Sequence, residues 1–105
     1  MYLWSINLHN TLFLMVMIMA NERMEKFLKE LHDVEFPEDD YGIEGETNHK
    51  GMIKLLKRAY KWKSLENLQM VIEYLGQDDD SRYETLEGCK EIIDENIEYH
   101  KEMIE

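Results

Sequence analysis

Apolar residues recur at three- and four-residue intervals along most of this chain, which is the period of amphipathic helices. From Asn21 to His32, Met24, Phe27, Leu28 and Leu31 follow that spacing with charges between them. Thr47 or Asn48 can cap a second helix, whose apolar positions are Met52, Ile53, Leu55, Leu56, Ala59 and Tyr60. Ser64 starts a third, with Leu65, Leu68, Val71, Ile72 and Leu75 as its buried stripe and Gly76 as the left-handed residue that ends it. Ser81-Arg82-Tyr83-Glu84 has the spacing of a capping box and opens a fourth helix. There Leu86, Cys89, Ile92, Ile93, Ile97, Tyr99, Met103 and Ile104 occupy one broad apolar arc. The pattern predicts helices over residues 12–32, 48–62, 64–75 and 81–104. The expected core is Phe27, Leu28, Leu31, Ile53, Leu56, Leu68, Val71, Ile72, Leu75, Leu86, Ile93 and Ile97.

The connection between the first two helices differs in kind. Asp33 to Thr47 combines Pro37, Gly42, Gly45 and six acids beyond Asp33, and reads as a loop. It is longer than most helix connections, and loops of that length tend to be functional or mobile. Val34, Phe36, Tyr41 and Ile43 can pin it onto the core.

Met1 to Ala20 carry no charge, and Leu12 to Ala20 are nine apolar residues in succession. A secretory signal begins with positive charge, and no Lys or Arg precedes Arg23. A membrane helix needs about twenty mostly apolar residues, whereas Ser5, Asn7, His9, Asn10 and Thr11 interrupt this one. The segment 1–20 is therefore an extension of the first helix, covered by the core or by a second subunit, or a non-native start that precedes translation at Met15, Met17 or Met19. Membrane anchoring through Leu12 to Ala20 is the third reading. An apolar run of this size favours self-association into a homo-oligomer.

With 105 residues the chain fits a single domain, placed at 21–105. Its single proline and five glycines leave little turn chemistry for many short strands, so the fold class expected is all-α, a small four-helix bundle-like domain with one long acidic loop. The single Cys89 excludes an intrachain disulfide and fits a reducing, cytoplasmic setting. On the apolar arc it reads as a small buried residue.

Charge changes the picture most. The formal net charge is −11, yet six of the twelve basic side chains, Lys50, Lys54, Lys57, Arg58, Lys61 and Lys63, fall in one short segment that contains no acid. Lys50, Lys54, Lys57 and Lys61 line one side of the second helix and Arg58 extends that face, with Tyr60 and Trp62 interleaved. Cations mixed with aromatics suit single-stranded nucleic acid or an acidic partner groove, although the surrounding negative field opposes nucleic acid. The fourth helix is the opposite case. Glu84, Glu87, Glu91, Glu95, Glu98, Glu102 and Glu105 follow steps of three and four and form an acidic stripe about 30 Å long. Like charges at that spacing repel along a helix by a few tenths of a kcal/mol per pair. The row is a solvated helix face, a partner for the basic helix in the same molecule or a neighbour, or an imitation of the phosphates of a duplex.

No chemistry of higher specificity stands beside these faces. On none of the predicted helices do the histidines supply a Glu-x-x-His or His-x-x-x-His pair, and a calcium loop turning at Gly42 would put Pro37 at its first ligand position. No cofactor, metal site or catalytic residue is expected. The functional expectation is a small acidic, non-enzymatic inhibitor, of the kind phages and mobile elements encode, blocking a basic partner such as a nuclease by charge mimicry. A regulatory module that applies the basic helix to nucleic acid or to an acidic protein is the alternative.

Overall fold

The computed structural model describes residues 22–38 and 45–105; the apolar run Leu12 to Ala20 and the loop residues Tyr41 and Ile43 lie outside them. All regular structure among the described residues is helical: α1 over residues 22–35, α2 (His49–Tyr60), α3 (Leu65–Tyr74) and α4 (Leu86–Ile104), with a 3-10 turn at Ser81–Glu84 ahead of α4. The fold is the all-α, bundle-like domain that the periodicity predicts. No helix among the described residues is long and apolar enough to cross a membrane.

Side-chain oxygens start each helix whose cap is described. The Asn48 carboxamide accepts from the Gly51 amide at 2.9 Å, and the Ser64 hydroxyl from that of Asn67 at 3.2 Å. Such caps contribute about 1 kcal/mol each. At the end of α3, Gly76 adopts φ 71°. Its amide and that of Gln77 donate to the Glu73 and Ile72 carbonyls at 3.0 and 3.1 Å, the paired bonds of a Schellman motif.

The fourth helix starts later than its capping-box sequence predicts. Asp80, not Ser81, takes the cap position of the 3-10 turn and accepts from the Arg82 amide at 2.9 Å. Thr85 then becomes extended, with φ −126° and ψ 155°, which breaks helical continuity, and its hydroxyl accepts from the Gly88 amide at 3.0 Å to restart the chain as α4. The Ser81–Glu84 box is therefore replaced by two separate caps.

Helices α1 and α2 run antiparallel. Asn48 donates to the Val34 carbonyl at one end, and Phe27 meets Trp62 edge-on at 4.7 Å at the other. Antiparallel packing recurs between α2 and α4, fixed by His49 against His100 at one end and Lys90 over the Tyr60 ring at the other. Gln77 and Asn96 exchange two side-chain hydrogen bonds, 3.1 and 3.0 Å, between the end of α3 and the middle of α4. Within this frame Met24, Phe27, Leu31, Met52, Leu55, Leu56, Ala59, Leu68, Val71, Ile72, Cys89, Ile92, Ile93 and Ile97 form the buried core. Leu28, Ile53, Leu75 and Leu86, expected inside, pack against its rim and are only partly covered.

The far end of α4 departs from its apolar arc. Tyr99, Met103 and Ile104 are 53, 52 and 44% exposed. At 19 residues α4 is much longer than α2, with 12, or α3, with 10, so at about 1.5 Å of rise per residue its last turns run past the helices beside it.

Candidate interaction surfaces

The acidic stripe is split by a residue that lies outside it. Arg82, the one basic side chain between Lys63 and Lys90, reaches from the 3-10 turn onto α4. Its two terminal nitrogens donate to the Glu95 carboxylate at 2.7 and 2.9 Å. On its other side Nε and Nη2 donate to Asp80 at 3.1 and 2.8 Å, and Glu91 lies at 3.7 Å. A planar fork between two carboxylates is the geometry in which arginine binds most specifically. Hydrogen bonds from Arg82 lower the pKa of Asp80 to about 2 and also depress that of Glu95. The two carboxylates in turn raise the guanidinium pKa, Glu95 contributing most.

The predicted members of the stripe therefore separate. Glu84 belongs to the 3-10 turn rather than to α4. Glu91 and Glu95 face Arg82, and Glu98 pairs with Lys101 at 3.1 Å. Glu87 and Glu102 are exposed and make no ion pair among the described residues. Asp94, missed by the glutamate count, is exposed and lines a shallow groove with Tyr60, Glu87, Lys90 and Glu91. Its signal was present, because Glu87, Glu91, Asp94, Glu98, Glu102 and Glu105 keep three- and four-residue steps and fall within about 80° of the helix circumference. Glu95 sits at the edge of that arc, on the side of Arg82.

The basic face is simpler. Lys50, Lys54 and Lys57 on α2 and Lys61 at its C-terminal cap are all exposed, and none forms an ion pair among the described residues. The acidic stripe and the lysine row, neighbours in the fold, do not neutralise each other within the molecule. Arg58 is drawn aside, with Glu30 of α1 at 3.4 Å and the Phe27 ring 5.5 Å below its guanidinium.

Two histidines meet that helical spacing kept apart. His49, at the start of α2, and His100, near the end of α4, bring their Nδ1 atoms to 2.8 Å, one donating and the other accepting. His100 is 6% exposed. Burial, and after it the His49 ring, hold its pKa below the usual histidine value. Nothing in the local sequence announced this pair, whose members are 51 positions apart. No group of three or more potential metal ligands occurs among the described residues.

Cys89 is buried, as its place on the arc predicts. Its thiol donates to the Tyr83 carbonyl at 3.2 Å, and burial, with Glu84 nearby, raises its pKa. That environment suppresses the thiolate form a nucleophile needs. No family model matches the chain, and no curated protein or solved structure shows significant similarity to it.

Proposed function

We propose that the protein acts by docking the acidic face of α4 onto a basic partner surface, as an inhibitor of a nucleic-acid-handling protein. The observation that carries this reading is the exposed row Glu87, Asp94, Glu98 and Glu102, which stands clear of Arg82 and of the lysines of α2. From Glu87 to Glu105, six carboxylates span about 27 Å, or one charge per roughly 5 Å, against one per about 3.4 Å on a single DNA strand. The face is thus about two-thirds as densely charged as the polymer it would imitate. Coulombic attraction of this kind speeds encounter and selects orientation more than it adds affinity.

A partner captured on the immobilised chain should be displaced by duplex DNA and should elute as salt rises, because the charges act through screened solvent. The variant Asp94→Asn/Glu98→Gln/Glu102→Gln should bind it at least tenfold more weakly. These positions avoid the Arg82 contacts, so lost binding would report the face rather than the fold. Unchanged affinity in the triple variant would end the proposal.

A further inference from the structure

A cleft of about 400 Å³ opens where the start of α1 faces the turn between α2 and α3. Its volume falls within the usual range for small-molecule sites. Phe27 and Trp62 supply aromatic surface; Phe27 is buried, while Trp62 is only half-covered. Arg23, Lys26 and Arg58 line it against the single acid Glu30, leaving a surplus of positive charge. The groove beside Tyr60 and the hollow at the end of α1, lined by Asp33 and Glu38, have the opposite balance. On a chain of net charge −11, a cationic cleft with an aromatic wall selects for a flat anion and against a metal ion.

We propose that this cleft binds a nucleotide, with the base against Trp62 and the phosphate held by Arg23 and Lys26. Base–aromatic stacking and cationic phosphate contacts are the two forces that single-strand binders combine. Arg58 contributes in a restrained way: Glu30 and the Phe27 ring hold its guanidinium at the cleft wall, so a phosphate competes with an existing long contact of 3.4 Å rather than ordering a free side chain. The same chemistry is offered by a free nucleotide and by one residue of a single strand. A strand leaving the cleft past Arg58 meets the exposed lysines of α2, Lys54, Lys57 and Lys61. This inference uses a different surface from the α4 face and stands independently of it.

The test is an NMR titration of the full chain with AMP, with inorganic phosphate and with an eight-residue oligothymidylate, following the Trp62 indole N–H and the amides of Arg23 and Lys26. AMP should move all three signals, with weaker binding at higher salt, and phosphate alone should leave the indole unmoved. Arg23→Gln/Lys26→Gln changes two exposed side chains and should weaken AMP at least tenfold with helicity unchanged. Tighter binding of the oligonucleotide, lost in Lys54→Gln/Lys57→Gln/Lys61→Gln, assigns the strand as the source, whereas equal affinities assign the free nucleotide. No response to AMP or oligonucleotide, equal indole shifts from phosphate and AMP, or tighter binding of a Glu/Tyr copolymer peptide than of AMP would each overturn the proposal.

Discussion

The two halves of α4 carry similar sequences and meet different fates. From Leu86 to Glu95 the helix lies against the 3-10 turn so closely that a Cβ on Gly88 would come within 2.1 Å of the Arg82 carbonyl oxygen. Its acids Glu91 and Glu95 face the Arg82 guanidinium. From Asn96 onward the packing thins: Asn96, Ile97 and His100 are the last positions held against the neighbouring helices, with the His49–His100 bond as the polar link to α2, while Tyr99, Glu102 and Met103 stand in solvent. A regular stripe in sequence is thus not one surface: in the near half Glu91 and Glu95 stabilise local structure through Arg82, whereas in the far half Glu102 stands in solvent with no ion pair among the described residues.

The sharpest way to break this contrast is Gly88→Ala. Helix propensity alone favours alanine by about 1 kcal/mol, but the 2.1 Å approach is to backbone, which must move. Overpacking of that kind costs about 3 kcal/mol, so urea denaturation should show a net loss of about 2 kcal/mol. A stabilised variant would mean that the turn does not rest on α4.

In the far half, the effect to measure is pH-dependent. His100 titrates lower in the fold than in the unfolded chain, mainly because it is buried. Its contribution is complete above about pH 6.5 and is lost as the pH falls through the lower folded value. Removing one buried hydrogen bond costs about 1 kcal/mol. Tm measured between pH 7.5 and 5 should therefore decline in the parent and decline less in His100→Gln; parallel slopes would rule out the pair as the cause.

The Arg82 contacts respond at a more acidic pH. Asp80 and Glu95 ionise more readily in the folded protein than in the unfolded chain. Their stabilisation is present above about pH 4 and disappears as the pH falls towards 2. These groups are solvated, so the effect is smaller than that of Gly88. Arg82→Gln should lower Tm at pH 7 and leave the parent and variant converging near pH 2. At the smallest end, the triple variant Asp94→Asn/Glu98→Gln/Glu102→Gln should keep stability within about 0.5 kcal/mol of the parent, as exposed substitutions usually do.

Helix number, order and the caps at Ser64 and Gly76 were legible, and the cap of α2 was narrowed to Thr47 or Asn48, because each depends on residues within a few positions of one another. The start of α4 was misread because two cap-forming sequences overlap: Ser81 and Glu84 have the right spacing, but Asp80 gains from both the amide and the guanidinium of Arg82. Asp94 could have been found from the sequence by counting every acid on the helical wheel. The His49–His100 pair and the cleft between Phe27 and Trp62 could not, since both depend on how α1, α2 and α4 lie across one another. Exposure of Met103 and Ile104 was hidden for a related reason, because periodicity records which face is apolar and not how far a neighbouring helix extends.

Cys89 turns the junction of α4 with the 3-10 turn into a clock. Its sulfur is fully covered and bonded to the Tyr83 carbonyl, so a thiol-modifying reagent can reach it only when that junction opens. With excess reagent, alkylation proceeds at the opening rate; with little, it follows the fraction of time spent open. A single natural cysteine thus reports the breathing of the near half of α4 without any introduced label.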